Sequence, residues 1–326
     1  IRVANCIFDN SRRNNLSITD GYNMIIENNL FLNAGMDMPN SEGKAPGFAI
    51  DVEAYRTKIN GEFVFYEKSY DITIRNNIER NSKYGAFVVA IGEDVTIENN
   101  VTEGGISIGA ASGVKINNEL TFNPENPNSS AGITTGHPSS ETTYNNIISN
   151  NVISGYTIGV AAYQRDMEIY GNTFKDFSVG IQPKNIKNFK IYNNTFNSQR
   201  TTAVGIFGNL TTMDNVHIYE NNVINVTRES VKFVAVNEGI GFENLNVIVE
   251  NNEFTNSGTF SRSSGIDFIK NKTKEGLIIV NSKNINILEN NIESSGQDGI
   301  IVSTGNSNLN IKSNDIKVIG NNLDCI

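Results

Sequence analysis

Two carboxylates stand two residues apart in the segment Phe48-Ala49-Ile50-Asp51-Val52-Glu53. In an extended chain Ile50 and Val52 face a core, so Asp51 and Glu53 share the outward face. Their Cα atoms are then roughly 6.6 Å apart, and their carboxyl groups about 5 to 8 Å apart depending on rotamer. That range covers both geometries of glycosidic bond cleavage. One acid protonates the leaving oxygen while the other attacks the sugar or activates a water. Sharing a cleft raises one of the two pKa values, as the acid role requires. Acidic residues on an exposed strand also simply solvate it. What sets this pair apart is its position between two insertions, at roughly 33–46 and 55–70, since long loops on a rigid scaffold usually carry function.

Other side chains are placed to assist. Arg12 and Arg13 precede the outward strand one coil earlier, within reach to hold an anionic or hydroxylated sugar or to orient Asp51. The second insertion is rich in aromatics, among them Tyr55 and Tyr66, suited to sugar stacking. His137 belongs to a later insertion at about 121–143, and Tyr163 continues the row of outward slots. Both are candidate substrate contacts. Asp267 repeats the Asp51 slot with Ile269 where Glu53 would be, so it lacks a partner carboxylate. His217 alternates with Val216 and Ile218 and faces outward. No phosphate-cradling glycine loop or His/Cys metal cluster is present, and two histidines give no support to a serine triad.

The scaffold is a repeat. Phe189, Ile191, Asn194 and Phe196 form a phrase that returns as Met167, Ile169, Asn172, Phe174 and as Val216, Ile218, Asn221, Val223. It returns again around Asn77, Asn100, Asn252, Asn290 and Asn314, with steps such as 23 residues from 77 to 100 and 22 from 172 to 194. A fixed turn residue at that period marks a solenoid. Apolar positions alternate by two, so the repeat is made of strands. The expected fold is all-β, a right-handed parallel β-helix of roughly a dozen coils, with stacked asparagines bonded along the axis. The repeat runs from Val3 to Ile316 without a compositional break, which predicts one domain over 1–326.

A formal charge of −9 argues against a nucleic-acid partner. No apolar run approaches a membrane span. Cys6 and Cys325 fall in the first and last coils, too far apart for a disulfide. The chain starts at Ile1 in mid-coil, as an excised part of a longer protein would.

Asn10 to Ser17, with its paired arginines, resembles the Asn-Arg-Arg-Gln-Gly-x-Ser phrase of phage and prophage tail proteins that carry pectate-lyase-like β-helices. Ile50-Asp51-Val52-Glu53 resembles their Gly-Ile-Asp-Ile-Glu-Pro phrase. The match departs at Asn14, Asn15 and Ala54, which stand in place of Gln, Gly and Pro. The resemblance implies a virion-borne or extracellular rod, commonly a homotrimer, that binds or cuts a cell-surface glycan. The residues themselves favour a polysaccharide hydrolase acting through Asp51 and Glu53 without a cofactor. A polysaccharide lyase is the nearest rival, in which the same two carboxylates would hold Ca²⁺. A non-catalytic glycan-binding adhesin is the rival from another class.

Overall fold

The structure is a computed structural model that describes residues 1–123, 130–136, 142–238, 246–295 and 298–319. Every regular element among them is a strand, and no helix is long and apolar enough to cross a membrane. The fold is the parallel β-helix. The chain divides into two compact units, 1–156 and 157–326, and each carries the repeat read from the sequence.

In the first unit, Gly21–Glu27 pairs in parallel with Ser69–Arg75, and that strand with Glu93–Glu98. Inward residues Ile26, Ile74 and Ile97 thereby stack in register and are fully buried. The second unit repeats the arrangement, with Ile169, Ile191 and Ile218 aligned and closed from solvent. Aromatic side chains stack along the interior, Phe8 on Phe31 at 4.9 Å and Phe174 on Phe196 at 4.8 Å between ring centroids.

The Asn-Asn doublets explain the corner between the first two strand types. The first residue of each doublet is left-handed, as at Asn76 (φ 54°), Asn99 (φ 58°) and Asn193 (φ 52°). Asparagine tolerates this region better than other residues with a Cβ. The second points inward and bridges coils. In the second unit Asn194 Nδ2 donates to Asn221 Oδ1 at 3.0 Å, and Asn221 Nδ2 to Asn252 Oδ1 at 2.9 Å. The same side chains donate to carbonyls of the preceding coil, as Asn221 does to Ile191 O at 2.9 Å. Buried backbone groups at the bend are satisfied in this way.

In the first unit the ladder runs from Asn29 through Asn77 to Asn100 and then meets a carboxylate. Glu119 Oε1 accepts from the Asn100 backbone N–H and from Asn100 Nδ2, both at 2.9 Å. Its other oxygen, Oε2, is buried without a hydrogen-bond partner. Burial pushes this carboxyl up to about 8, so at neutral pH it is largely a protonated acid filling the place of an amide. Cys6 occupies the first ladder slot, its N–H donating to Asn29 Oδ1 at 3.0 Å, and it is a free, exposed thiol. Cys325 lies outside the described residues.

Candidate functional site

Asp51 sits on the strand Phe48–Glu53, between Leu16–Ile18 and Gly85–Ile91. The outward row through it reads Ser17, Asp51, Val88, Ser107 and Thr134. Sequence alternation places Val89 in this row; the structure instead gives the slot to Val88 and buries Val89 in the core. Ala86, Phe87, Val88 and Val89 are all buried, so alternation carries no phase in that strand. A register shift between Val89 and Ile91 then sets Ile91 beside Glu53.

The expectation that both carboxylates face solvent holds for Glu53, which is exposed. Asp51 is only 3% exposed. Its Oδ2 accepts from Asn14 Nδ2 at 2.8 Å, and Asn14 Oδ1 in turn accepts from the Phe48 N–H at 3.0 Å. Asn14 is therefore held from both ends of its amide. Asp51 Oδ1 is buried and has no partner. Burial first, and the Glu53 charge second, push the Asp51 carboxyl up to about 6, against the opposing pull of Asn14 and Arg13.

The arginines are engaged elsewhere. Arg12 Nε donates to Glu42 O at 3.3 Å and Arg13 Nε to Ala45 O at 2.9 Å, so the pair fastens the first insertion. Arg13 still lies near enough for its charge to bear on Asp51.

The second insertion folds as a hairpin, Arg56–Ile59 against Glu62–Phe65. Its turn is Asn60-Gly61, both with positive φ (52° and 91°), the pairing that a two-residue hairpin turn demands. Asn-Gly is a signal in the sequence that could have found this hairpin. Tyr55 and Tyr66 stack at the hairpin base at 5.4 Å and remain more than half exposed.

Beside the hairpin lies a pocket of about 270 Å³ that sequence reasoning missed. One outward row forms its floor, running Tyr70, Glu93, Ser112, Tyr144 through successive coils. Two tyrosines thus stand three coils apart, about 14 Å at the usual strand spacing, with smaller side chains between them. Arg56, Phe65 and Lys68 complete the wall from the hairpin side. Arg56 Nη1 donates to Thr142 Oγ1 at 3.1 Å, and its guanidinium lies 3.9 Å from the centre of the Phe63 ring. Tyr55 and Tyr66 do not line this pocket.

Tyr163 belongs to the second unit, in the strand Ile158–Tyr170 opposite Lys184. His137 lies outside the described residues. His217, also in the second unit, has Nε2 2.8 Å from Glu250 Oε1 and packs on Tyr219 at 4.2 Å. Asp267 does not repeat the Asp51 slot: it lies on the strand before the asparagine bend, in a row with Ile248, His217 and Lys190, and its Oδ1 accepts from Asn286 Nδ2 at 2.6 Å.

With this geometry in hand, the chain can be set beside known proteins. Residues 40–209, more than half of the chain, match the family described as periplasmic copper-binding protein (NosD). The chain belongs to the NosD family. The uncharacterized protein YclG of Bacillus subtilis is 26% identical over 259 residues, covering 77% of this chain and 41% of the relative. The chain therefore spans less than half the length of that curated relative. Among solved structures, the Streptococcus pneumoniae surface adhesin PfbA superposes with a TM-score of 0.61 at 14% identity, over 98% of this chain and 90% of the adhesin. The tailspike of E. coli bacteriophage HK620, solved with a hexasaccharide, gives 0.54 at 10% identity, over 96% and 67%. The tailspike resemblance is met at the level of fold.

The family description names copper, which takes imidazole and sulfur donors grouped around one point. Among the described residues no three His, Cys, Asp or Glu side chains gather in that way. Met167 and Met213 are closed in the core, and the His217 ring is engaged by Glu250. The described His, Cys, Asp and Glu side chains by themselves form no copper site.

Proposed function

We propose that this chain acts on a polysaccharide bound along the outward face of its first unit, cleaving it by hydrolysis at Asp51 and Glu53. The observation that carries this reading is Asp51, a buried carboxyl raised to about 6 beside an exposed one. That division is what acid catalysis of glycoside cleavage uses: one carboxyl holds its proton to a higher pH than a free aspartate does, beside a second, solvent-facing carboxyl. Asn14 fixes the contacts around Asp51 without neutralising it. Substrate must displace the cover over Oδ1 before the proton can be passed. The work would take place outside the cell or on a virion, a setting consistent with the adhesin and tailspike sharing the fold.

The same cover favours a second reading. A carboxylate oxygen closed from solvent suits a glycan-binding adhesin in which Asp51 only anchors the Asn14 loop. Prolonged incubation with a glycan library and mass detection of fragments separates the two. Hydrolysis gives saturated fragments, whereas a lyase gives ultraviolet-absorbing unsaturated ends and loses activity with a chelator. A library left intact throughout leaves only the binding reading.

The chain is also proposed to assemble as a homotrimer. Outward apolar residues such as Ile278 and Ile301, paired on adjacent strands of the second unit, support this. Light scattering is expected to give three times the 35.8 kDa chain mass; a monomer at every concentration would overturn it.

A further inference from the structure

The pocket beside the hairpin differs from the rest of this face in its charge. Arg56 and Lys68 both line it, and neither makes an ion pair among the described residues. Burial alone moves the Arg56 pKa, downward, as for a cation that has lost water without gaining a carboxylate. Its planar fork is steered by the Phe63 ring and by Thr142, which leaves remaining N–H donors for a ligand. A partly buried, pre-oriented guanidinium without a counterion matches a carboxylate or an acidic ester bidentately.

The rest of the pocket fits a sugar. Tyr70 and Tyr144 bound its two ends, and Glu93 and Ser112 between them offer acceptors and a donor to hydroxyl groups. Tyr70 has one face covered by Tyr22, 5.2 Å away at an interplanar angle of 8°. That stack holds the Tyr70 ring rigid and leaves its other side toward Glu93. Glu93 also fixes polarity, since an anionic substituent is repelled there and directed to Arg56 and Lys68. A volume near 270 Å³ accepts about one sugar unit.

We propose that this pocket is a subsite for one acidic sugar residue of the polysaccharide, its carboxylate, sulfate or phosphate group held by Arg56 and Lys68. The proposal rests on the glycan reading above and names the substrate class for it. The chain's net charge of −9 works against unspecific attraction to polyanions, so retention of one requires a local cationic site.

The test passes the full chain, at low and at high salt, over immobilised acidic polysaccharides: polygalacturonate, alginate, hyaluronate, heparin and a teichoic acid. Neutral dextran, xylan and cellulose serve as comparison. Retention by at least one acidic matrix, weakened by salt, is expected, and the charged group of that matrix distinguishes carboxylate, sulfate and phosphate. Arg56→Ala and Lys68→Ala should each weaken retention at least ~10-fold. Arg56→Lys keeps the charge and the hairpin but loses the fork, and should fall between wild type and Arg56→Ala. Retention by no acidic matrix, or retention unchanged in the Arg56 and Lys68 variants, overturns the subsite. The retention readout itself requires no cleavage. A neutral glycan that is cut at Asp51 would sink the subsite and leave the hydrolase standing, whereas acidic retention without fragments would do the reverse.

Discussion

Asp51→Asn and Glu53→Gln are each expected to lower glycan cleavage by at least ~10²-fold, the usual contribution of a positioned acid or base. Neither should cost stability. Glu53 is exposed, and Asp51 is a buried acid whose charge is disfavoured where it lies, so the amide should leave the thermal midpoint unchanged or slightly higher. Asn14 can still donate to the new side-chain oxygen. The pH profile gives an independent reading. If Asp51 must carry the proton, cleavage should decline as pH rises through about 6, approaching tenfold per pH unit beyond it. Asp267→Asn is the control, an outward aspartate of the second unit that is bonded to Asn286, and should leave turnover alone. Wild-type rates in both Asp51→Asn and Glu53→Gln, on a glycan that the parent cuts, would remove the active site from this face.

Glu119→Gln should stabilise the first unit by up to about 3 kcal/mol at pH 7. In the unfolded chain this glutamate releases its proton near 4.5; in the ladder it holds it to about 8. Between those values the unfolded state binds fewer protons, so stability falls as pH rises and levels off above 8. The acidic form has a proton to place on Oε2, and the repeat pattern predicts the Ile97 carbonyl as its acceptor. Asn100 donates to Ile74 O and Asn151 to Ile116 O in the corresponding slots. Glutamine supplies the same donor at every pH. Denaturant titration of both forms at pH 4.5 and pH 8 checks this: the curves should coincide at the lower pH and separate at the higher. Equal stability at pH 8 would mean that the carboxylate is satisfied by water in its place.

The fold was legible because its signal is redundant. Alternation of apolar residues along each strand is reinforced by an asparagine at each bend, so misreading one coil leaves the others intact; Phe189, Ile191 and Asn194 alone state the whole unit. The ladder member at 119 was not legible, since a carboxyl imitates an amide only when protonation is imposed by burial. The site was half legible. Asp51 and Glu53 are neighbours as expected, yet the burial of Asp51 depends on Asn14 and on a strand, Gly85–Ile91, whose two faces are equally apolar. The pocket as such escaped because its lining comes from four separate coils and a hairpin. The insertion at 55–70, which supplies Arg56, Phe65, Lys68 and Tyr70, was the one part of it visible as a long loop.

The asparagine corner is two residues long wherever it is described, from Asn28 and Asn29 to Ser313 and Asn314. Every insertion in the first unit is carried by another bend. Constant and variable parts of the coil are therefore physically uncoupled: lineages can lengthen, shorten or exchange the loops around Asp51 and Arg56 without renegotiating the core. A backbone course of this kind tolerates wide change in sequence, as the 14% identity between this chain and the adhesin that shares its fold illustrates.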